Sequence, residues 1–347
     1  MIPVWRSSNL SGIFSFLRIA SLCLVLLPIL SSWSSAGTIS TFAGRSDAIQ
    51  GSAKGVYTGD GGPATAAGLN NPSGVAVDSA GNVFIADYAN HCVRKVDAAG
   101  FISTVAGVGG VLGYNGDGVA VSSRLYNPMD VAVDADGNVF VAEYTNHLVR
   151  KIDMQTGLLS TVAGVYTTNA TGSPIGGYNG DNIAATAAQL DKPTALAFDA
   201  AGNLYIADSG NQVIRRVDRA TGVMTIVAGT AKAAGSTLSQ LNTPRGIAFD
   251  AAGNMYISDS SNRRILKVDA VSGTIATFAG GAAAWVDDSA GIPATSAYIN
   301  LPYHIAFDAV GNLLISDQSN HLIRKVTPTG IITTIAGTRL VYTPFTD

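Results

Sequence analysis

The sequence predicts an all-β protein built from copies of one four-stranded unit, on three observations. A segment of 36 or 37 residues recurs five times, from a proline to a glycine, and the connections between copies vary from 14 to 28 residues. Each copy holds four short apolar runs separated by turn residues. Charged residues are 13% of the chain and hydrophobic ones 47%, which indicates a large packed core. A constant unit with variable connections is typical of a repeat architecture. The copies run over residues 69–107, 125–164, 190–229, 241–280 and 299–337.

The first copy shows how a unit is built. Its apolar runs 74–77, 83–86, 93–96 and 101–106 are rich in valine, isoleucine and phenylalanine and are too short to favour a helix. The joint at 78–82 reads Asp-Ser-Ala-Gly-Asn, and Asp-x-x-Gly-Asn recurs at the same place in every copy. Glycine there provides the positive φ that a tight hairpin needs. Four strands joined by hairpins predict one twisted antiparallel sheet.

Such a sheet is apolar on both faces, so it needs neighbours that cover it. Stacking the sheets radially around a channel buries both faces and leaves only short edges, which is the arrangement of a β-propeller. The middle of the first strand is alanine in every copy, as expected for the crowded strand nearest the axis. These alanines are Ala76, Ala132, Ala197, Ala248 and Ala306. A solenoid is the alternative arrangement of the same units.

The repeats in this sequence do not complete a closed ring of blades. Residues 37–44 match the fourth strand of a copy, but only ten residues follow Gly337. We therefore expect five complete blades plus one orphan outer strand, from a six-bladed ring that the chain leaves unfinished. An irregular closure is the alternative. Unpaired end blades would expose their faces, and a homo-oligomer could cover them.

The first 36 residues have the composition of a secretory signal. Basic residues precede an apolar run at 19–30, and small residues lead to a cleavage position after Ala36. A retained membrane anchor is the alternative, but the run is short for a span and contains Pro28. The propeller, residues 37–347, is then secreted, extracellular or periplasmic, with no membrane contact after cleavage. It would contain only Cys92 and no internal disulfide.

The repeat resembles a known family. Residues 146–148 and 320–322 read Asn-His-Leu, and residues 90–92 read Asn-His-Cys. With Pro-x-Gly-hydrophobic-Ala at the first strand and Gly-Asn before the second, the copies resemble NHL repeats, in the exported, glycine-rich bacterial form. The resemblance covers residues 37–337 and implies a β-propeller, usually of six blades. It does not imply a function, because propellers host unrelated ones.

Three of the four histidines occupy one position of the repeat. His91, His147 and His321 share it, and Gln212 and Arg263 fill it in the other copies. Equivalent positions on different blades lie around a ring and do not converge on one metal ion. We interpret these histidines as polar turn residues between the second and third strands. Some NHL-type propellers are metal-dependent lyases, but the resemblance assigns no histidine ligand here.

An acid ends the second strand of each copy, and an arginine follows seven residues later in four of them. A pair repeated in this way indicates a structural clamp between adjacent strands, because a catalytic pair would be unique. The fourth copy departs from the pattern, with Leu266 at the arginine position and Arg264 two residues earlier. The four regular pairs are Asp87 with Arg94, Glu143 with Arg150, Asp208 with Arg215, and Asp317 with Arg324.

The sequence contains only weak signals for metal binding, catalysis or nucleic-acid binding. The connections contain Gly-Asp-Gly or similar at 59–61, 116–118 and 180–182, which we interpret as turns, since one carboxylate each is few for calcium. We predict no cofactor, and calcium and zinc stay open. No Gly-x-Ser-x-Gly, phosphate loop or His-Glu-x-x-His occurs. Basic residues are dispersed and net charge is −3, which excludes a nucleic-acid-binding face.

The copies differ most just after the proline. These residues enter the innermost strand, so they should surround one mouth of the channel, where the tips after the second strand also lie. Loops on a rigid scaffold are where propellers place recognition. The candidate ligand-binding residues are Met129, Asp130, Arg245, Tyr303 and His304, with the tips Tyr88 and Tyr144. Ordinary loop variation without a ligand is the alternative.

Three functions fit this sequence. The leading hypothesis is a non-catalytic exported propeller that binds a protein, peptide or glycan at this mouth. The second is a metal-dependent lyase or lactonase-like hydrolase with an axial site, which needs several converging ligands. The third is an extracellular structural or sensor module of a longer protein.

Overall fold

A computed structural model describes residues 39–45 and 57–338. They form five antiparallel sheets of four or five strands, and in each sheet the four long strands lie side by side in sequence order. Blade 1 contains β1 Pro72–Val77, β2 Val83–Asp87, β3 Cys92–Val96 and β4 Ile102–Ala106. Blade 2 contains β5 Gly118–Val119, β6 Pro128–Val133, β7 Val139–Glu143, β8 Leu148–Asp153 and β9 Leu158–Ala163.

The remaining blades follow the same plan. Blade 3 contains β10 Ile183–Ala184, β11 Pro193–Phe198, β12 Leu204–Asp208, β13 Val213–Val217 and β14 Val223–Gly229. Blade 4 contains β15 Pro244–Phe249, β16 Met255–Asp259, β17 Arg264–Val268 and β18 Ile275–Gly280. Blade 5 contains β19 Ile292–Pro293, β20 Pro302–Phe307, β21 Leu313–Asp317, β22 Leu322–Val326 and β23 Ile331–Ala336. The short β5, β10 and β19 come from the connecting segments and pair with the outer strand of their own blade.

The core lies between the blades. The first strands pack in succession, β1 on β6, β6 on β11, β11 on β15 and β15 on β20. Aromatic rings meet edge to face across two of these interfaces, Phe140 with Phe198 at 4.9 Å and Tyr205 with Phe249 at 4.8 Å between ring centroids. Of the five first-strand alanines, Ala132 and Ala248 are buried and Ala76, Ala197 and Ala306 are partly exposed, so the expected crowding is seen in two blades. The prediction of an all-β propeller with four-stranded blades is confirmed.

The predicted six-bladed ring with an orphan strand is wrong, since the described residues form five blades and 39–44 is not a strand. Ala43 is buried against blade 1, and the N–H of Gly44 donates to the carbonyl of Ala64 at 2.9 Å. Gly164, at the end of β9, makes the same bond to Ala185 at 3.0 Å. The segment therefore resembles an outer strand in its packing. It lacks strand pairing because no described strand lies beside it.

The two ends of the series of blades do not meet as neighbouring blades do. In the part of the chain that the structure describes, β20 has no packing against β1 comparable to that between consecutive first strands. The predicted signal segment, residues 1–36, lies outside the described residues. Among the described residues, no helix has the length and apolar character to span a membrane.

Each acid–arginine pair is brought together, and each is part of a larger cluster. The four arginines are fully buried and lie beside the acid that ends the second strand. The nitrogen–oxygen distances are 3.5 Å for Arg94 and Asp87, 3.1 Å for Arg150 and Glu143, 3.7 Å for Arg215 and Asp208, and 3.0 Å for Arg324 and Asp317. Burial raises the pKa of all four acids, to about 6 for Asp87 and Glu143 and to about 7 for Asp208.

The connecting segments supply the other side of each cluster, which the sequence analysis missed. An aspartate from the segment before the blade also pairs with the arginine, and an aromatic ring three residues earlier lies against the guanidinium. These aspartates are Asp60 at 2.7 Å, Asp117 at 2.9 Å, Asp181 at 3.6 Å and Asp288 at 2.8 Å. The rings are Tyr57, Tyr114, Tyr178 and Trp285, with centroids 4.9 to 5.3 Å away. The Gly-Asp turns therefore anchor the connection to its blade.

In blade 4 the buried acid at the end of the second strand is paired with an arginine at a different position. Leu266 fills the arginine position and is fully buried. Arg264 approaches Asp259 from the neighbouring position, with Nε 2.8 Å from the carboxylate. The connection before this blade has no aromatic-x-x-Asp, and Arg264 instead donates to the carbonyls of Ser236 and Thr237 at 2.8 and 3.0 Å.

The repeated histidine position links neighbouring blades. His91 and His147 have left-handed backbone, with φ of 56° and 57°, as expected for a turn residue. Nδ1 of His91 accepts the N–H of Asn127 at 3.2 Å, and Nδ1 of His147 accepts the N–H of Lys192 at 3.0 Å. In blade 3, Oε1 of Gln212 does the same for the next blade. The position is therefore both a turn and an inter-blade hydrogen bond.

Replacing a clamp arginine should destabilise the protein strongly. Arg150→Leu leaves the fully buried Glu143 without its cation, and we expect a loss of about 3–5 kcal/mol in the free energy of unfolding. Arg219→Leu is the control, because Arg219 pairs with Asp136 at the surface and its loss should cost at most about 1 kcal/mol. Urea denaturation followed by circular dichroism measures both. Equal losses for the two variants would contradict the clamp.

The inter-blade bond predicts a difference between two substitutions of His91. His91→Gln keeps an acceptor, as Gln212 does, whereas His91→Ala loses it and should cost about 1 kcal/mol. Burial lowers the pKa of His91, and only neutral imidazole accepts at Nδ1. The bond is thus complete above the ordinary pKa of 6.5 and is lost as pH falls toward the lower folded-state pKa. The stability of His91→Gln relative to wild type should therefore rise as pH falls from 7 to 5, and a constant difference would refute the assignment.

Candidate functional site

A cavity of about 680 Å³ opens at one end of the channel, and we call it the mouth cavity. Its lining combines side chains from the first strands of blades 1, 2, 4 and 5 with part of blade 5 further out, residues 316–319 and 321–323. The first-strand and tip residues that line it are Ser73, Tyr88, Met129, Arg245, Tyr303 and His304. Of the seven candidate residues, five lie in this lining.

The other two candidates lie close by. Asp130 lies deeper on the axis, in a second cavity of about 110 Å³ that it shares with Ser73, His304 and Ser316, and we call this the axial cavity. Tyr144 is outside both linings, although its hydroxyl is near enough to act on the ionisation of Tyr303. The residues that differ between blades are therefore gathered at one end of the channel.

Met129 is at the centre of the contacts across the mouth. Its sulfur accepts a hydrogen bond from the hydroxyl of Ser73 at 3.2 Å and one from the hydroxyl of Tyr303 at 3.5 Å. These bonds connect blade 2 with blades 1 and 5. A thioether on a flexible side chain adapts readily to a neighbouring apolar group.

Arg245 and Tyr303 form a stacked pair at the rim. The guanidinium carbon lies 4.6 Å from the ring centroid, within the range of a cation–π contact. Arg245 is half-buried, and burial raises the pKa of Tyr303, which the charge of Arg245 partly opposes. The pair presents a cation over an aromatic ring.

Asp130 and His304 face each other across the axial cavity. His304 Nδ1 is 4.0 Å from Asp130 Oδ1, too far for a hydrogen bond, and Asp130 Oδ2 accepts the N–H of Leu196 at 2.8 Å. Burial raises the pKa of Asp130 to about 7. Burial, and then the charge of Arg245, lowers the pKa of His304 to about 4. Near pH 6 both groups are therefore mostly uncharged.

Two glycines make room for these side chains. A Cβ on Gly74 would lie 2.0 Å from Oδ1 of Asp130 in the next blade. A Cβ on Gly246 would lie 2.4 Å from the carbonyl oxygen of Tyr303. The glycine of Pro-x-Gly thus accommodates the neighbouring blade, a signal that the sequence carries but that its analysis did not use. No sequence signal indicated that residues 321–323, at and after the turn into the third strand of blade 5, line the mouth cavity. This part of the lining depends on the opening beside blade 5.

The tips after the second strand differ between blades. Blades 3 and 4 have serines where blades 1 and 2 have Tyr88 and Tyr144. Ser209 donates to the carbonyl of Pro244, and Ser260 donates to that of Pro302. At this position, therefore, blades 1 and 2 have long aromatic side chains and blades 3 and 4 have buried hydroxyls.

The lining of the mouth cavity combines charged, polar and apolar side chains. It contains one guanidinium, several hydroxyls, the imidazoles of His304 and His321 and the carboxylate of Asp317. Three His, Cys, Asp or Glu side chains grouped for a metal ion are not found within residues 39–45 and 57–338.

Comparison with known proteins agrees with the repeat. Residues 53–113 match the Teneurin NHL domain, and residues 125–152 match the NHL repeat. Teneurin-4 of Mus musculus is 30% identical over 248 residues, which are 60% of this chain and 8% of that protein. NHL repeat-containing protein 2 of Bos taurus is 26% identical over 293 residues, which are 74% of this chain and 39% of that protein.

A solved structure, that of a nidogen/laminin complex, shares the fold with a TM-score of 0.53 and 14% identity, and the match covers 77% of this chain and 82% of that one. The chain spans well under half the length of both relatives. The repeat, the two matched segments and the five sheets agree: the chain contains NHL-type repeats, folds as a β-propeller and is similar to NHL-repeat proteins.

Proposed function

We propose that this propeller is a non-catalytic binding module that recognises a protein, peptide or glycan at the mouth cavity. One observation carries the proposal: in four of the five blades the variable residue after the proline lines a single cavity, and these residues are Ser73, Met129, Arg245 and Tyr303. Met129, Arg245 and Tyr303 occupy the same position of three different repeats, and each contributes a different chemistry. A structural function alone would not require that divergence.

The surroundings support recognition by a rigid surface. Charge clusters and inter-blade bonds repeat around the ring, so the first strands are held by the scaffold on which they stand. A mouth cavity of about 680 Å³ is within the ordinary range of ligand sites, about 300–1,000 Å³. Rigid placement favours affinity because little freedom is lost when a ligand binds.

Export is part of the proposal. The composition of residues 1–36 supports a cleaved signal, which would place the mouth outside the cell or in the periplasm. A role as one module of a longer extracellular protein is compatible, since this chain spans 8% and 39% of two relatives.

An enzyme is the second candidate, favoured by Asp130 and His304. Their pKa values are displaced in opposite directions in a shared cavity, as happens at many catalytic sites. A lyase or lactonase-like hydrolase with an axial metal would need further ligands beyond these two. We therefore rank it below binding.

The mouth assignment predicts the effect of a double substitution. Arg245→Ala with His304→Ala should reduce binding on peptide and glycan arrays about tenfold or more, because it removes the rim cation and an axial ring. Arg219→Ala, an exposed arginine paired with Asp136, is the control and should bind as wild type does. Unchanged array binding by a folded double variant would exclude the mouth as the site.

Metal content separates the two candidates. If the propeller only binds ligands, protein purified without chelators should contain metal well below one ion per chain. The isosteric variant Asp130→Asn should leave that content unchanged. Mass spectrometric metal analysis measures both. A stoichiometric ion that is lost in Asp130→Asn would favour the enzyme.

A further inference from the structure

Arg245 differs from the other buried arginines in having no acid. Every other described arginine that is at least half-buried has a carboxylate within 4 Å. These are Arg94, Arg150, Arg215, Arg216, Arg264 and Arg324. Throughout residues 57–338, no aspartate or glutamate lies within that distance of Arg245. A half-buried guanidinium without a counter-charge is unfavourable unless something else supplies one.

The acids nearest to the mouth are already engaged. Asp317 borders the cavity but is bound by Arg324 at 3.0 Å, by the amide of Asn320 at 2.8 Å and by the N–H of Asn300 at 2.8 Å. Asp130 accepts a backbone N–H, and burial raises its pKa to about 7. Arg245 therefore leaves the mouth cavity with an uncompensated positive charge.

The guanidinium of Arg245 has the donors that a planar anion needs. Its central carbon lies over the Tyr303 ring, 4.6 Å from the ring centroid, and arginine carries its N–H groups in a planar fork. A carboxylate fits such a fork with two parallel hydrogen bonds. His304 lines the same cavity, and its buried Nε2 has no hydrogen-bond partner in the described structure, so no other group in that structure engages this nitrogen.

The walls beside the cation are apolar in part. Met129, Leu322 and Ile323 line the same cavity. Sugars usually stack on an open aromatic face, but the guanidinium already covers one face of Tyr303. An acidic group next to an apolar side chain suits this lining better than a glycan does.

We infer that the mouth cavity binds the carboxylate of an acidic peptide, with Arg245 as its anion-binding group and Met129 beside the adjoining apolar side chain. The inference rests on the proposed function and narrows it to one ligand chemistry. The carboxylate could be the end of a chain or the side chain of an acidic residue, because both present the same planar anion.

Four synthetic probes test the inference, with binding measured by titration calorimetry. Acetyl-Ala-Ala-Leu carries a terminal carboxylate, acetyl-Ala-Leu-Glu amide carries a side-chain carboxylate, and acetyl-Ala-Ala-Leu amide carries none. Trigalacturonate represents an acidic glycan. We expect at least one of the two charged peptides to bind about tenfold more tightly than the neutral amide, and more tightly than trigalacturonate. The better of the two identifies the source of the carboxylate.

Variants then assign the preference to one residue. Arg245→Gln should remove the tenfold preference, and Arg245→Lys should keep part of it. Arg219→Gln changes net charge equally outside the cavity and should have no effect. Met129→Trp should fill the cavity and weaken every probe.

The outcomes separate the inference from the proposed function. Equal binding of charged and neutral peptides, weakened by Met129→Trp, would overturn the carboxylate and leave the mouth in place. Preference for trigalacturonate would replace the peptide with a glycan. A carboxylate preference that survives both Arg245→Gln and Met129→Trp would overturn both, since the ligand would then bind elsewhere. Absence of binding by all four probes would overturn the inference alone.

Discussion

Matching of buried charge is the constraint on which this propeller depends. A guanidinium inside a sheet is costly unless carboxylates and carbonyls surround it, and removing one partner leaves the other unmatched. Each cluster takes its acids from two places, the end of the second strand and the preceding connection, as Asp87 and Asp60 do around Arg94. The connections are thereby tied to the blades that follow them. Blade 4 supports this view, because Arg264 approaches Asp259 from a different position once the usual arginine has become Leu266.

A scaffold held in this way permits variation on the first strand. Pairing of β1 with β2 is irregular between Pro72 and Val75, and β20 is irregular at the same place. Residues within such a bulge contribute little to the sheet, so their side chains can change without loss of pairing. Gly74 then leaves room for Asp130 of the next blade, and Gly246 leaves room for the carbonyl of Tyr303. The side chains at the mouth can therefore differ between blades because the rest of each blade is regular.

Much of the fold could be predicted from the sequence, because hydrophobic periodicity and turn residues are local signals. The four strands of a repeat and the first-strand alanine were predicted from them. The number of blades and the closure of the ring were not predicted correctly. Residues 39–44 have the sequence of an outer strand, but strand pairing also requires a neighbouring strand, which the sequence of this segment does not reveal. The convergence of Met129 and Tyr303 followed from propeller geometry. The contact of Tyr57 with Arg94 and the hydrogen bond from Asn127 to His91 could not be predicted in this way, since each joins the residue to another segment or to the next blade.

The electrostatics of the mouth follow from the same rule as the clusters. Near pH 6 Asp130 is largely protonated and His304 is neutral, so neither compensates the charge at the rim. Arg245 lies on an aromatic ring at 4.6 Å, much as Arg94 lies against Tyr57 at 4.9 Å, but only Arg94 has its aspartate. The arrangement at the mouth is therefore that of a cluster from which the carboxylate is missing. Because each of the other buried arginines within residues 57–338 has an acid beside it, a ligand that brings a carboxylate to Arg245 would complete the pattern that stabilises the blades.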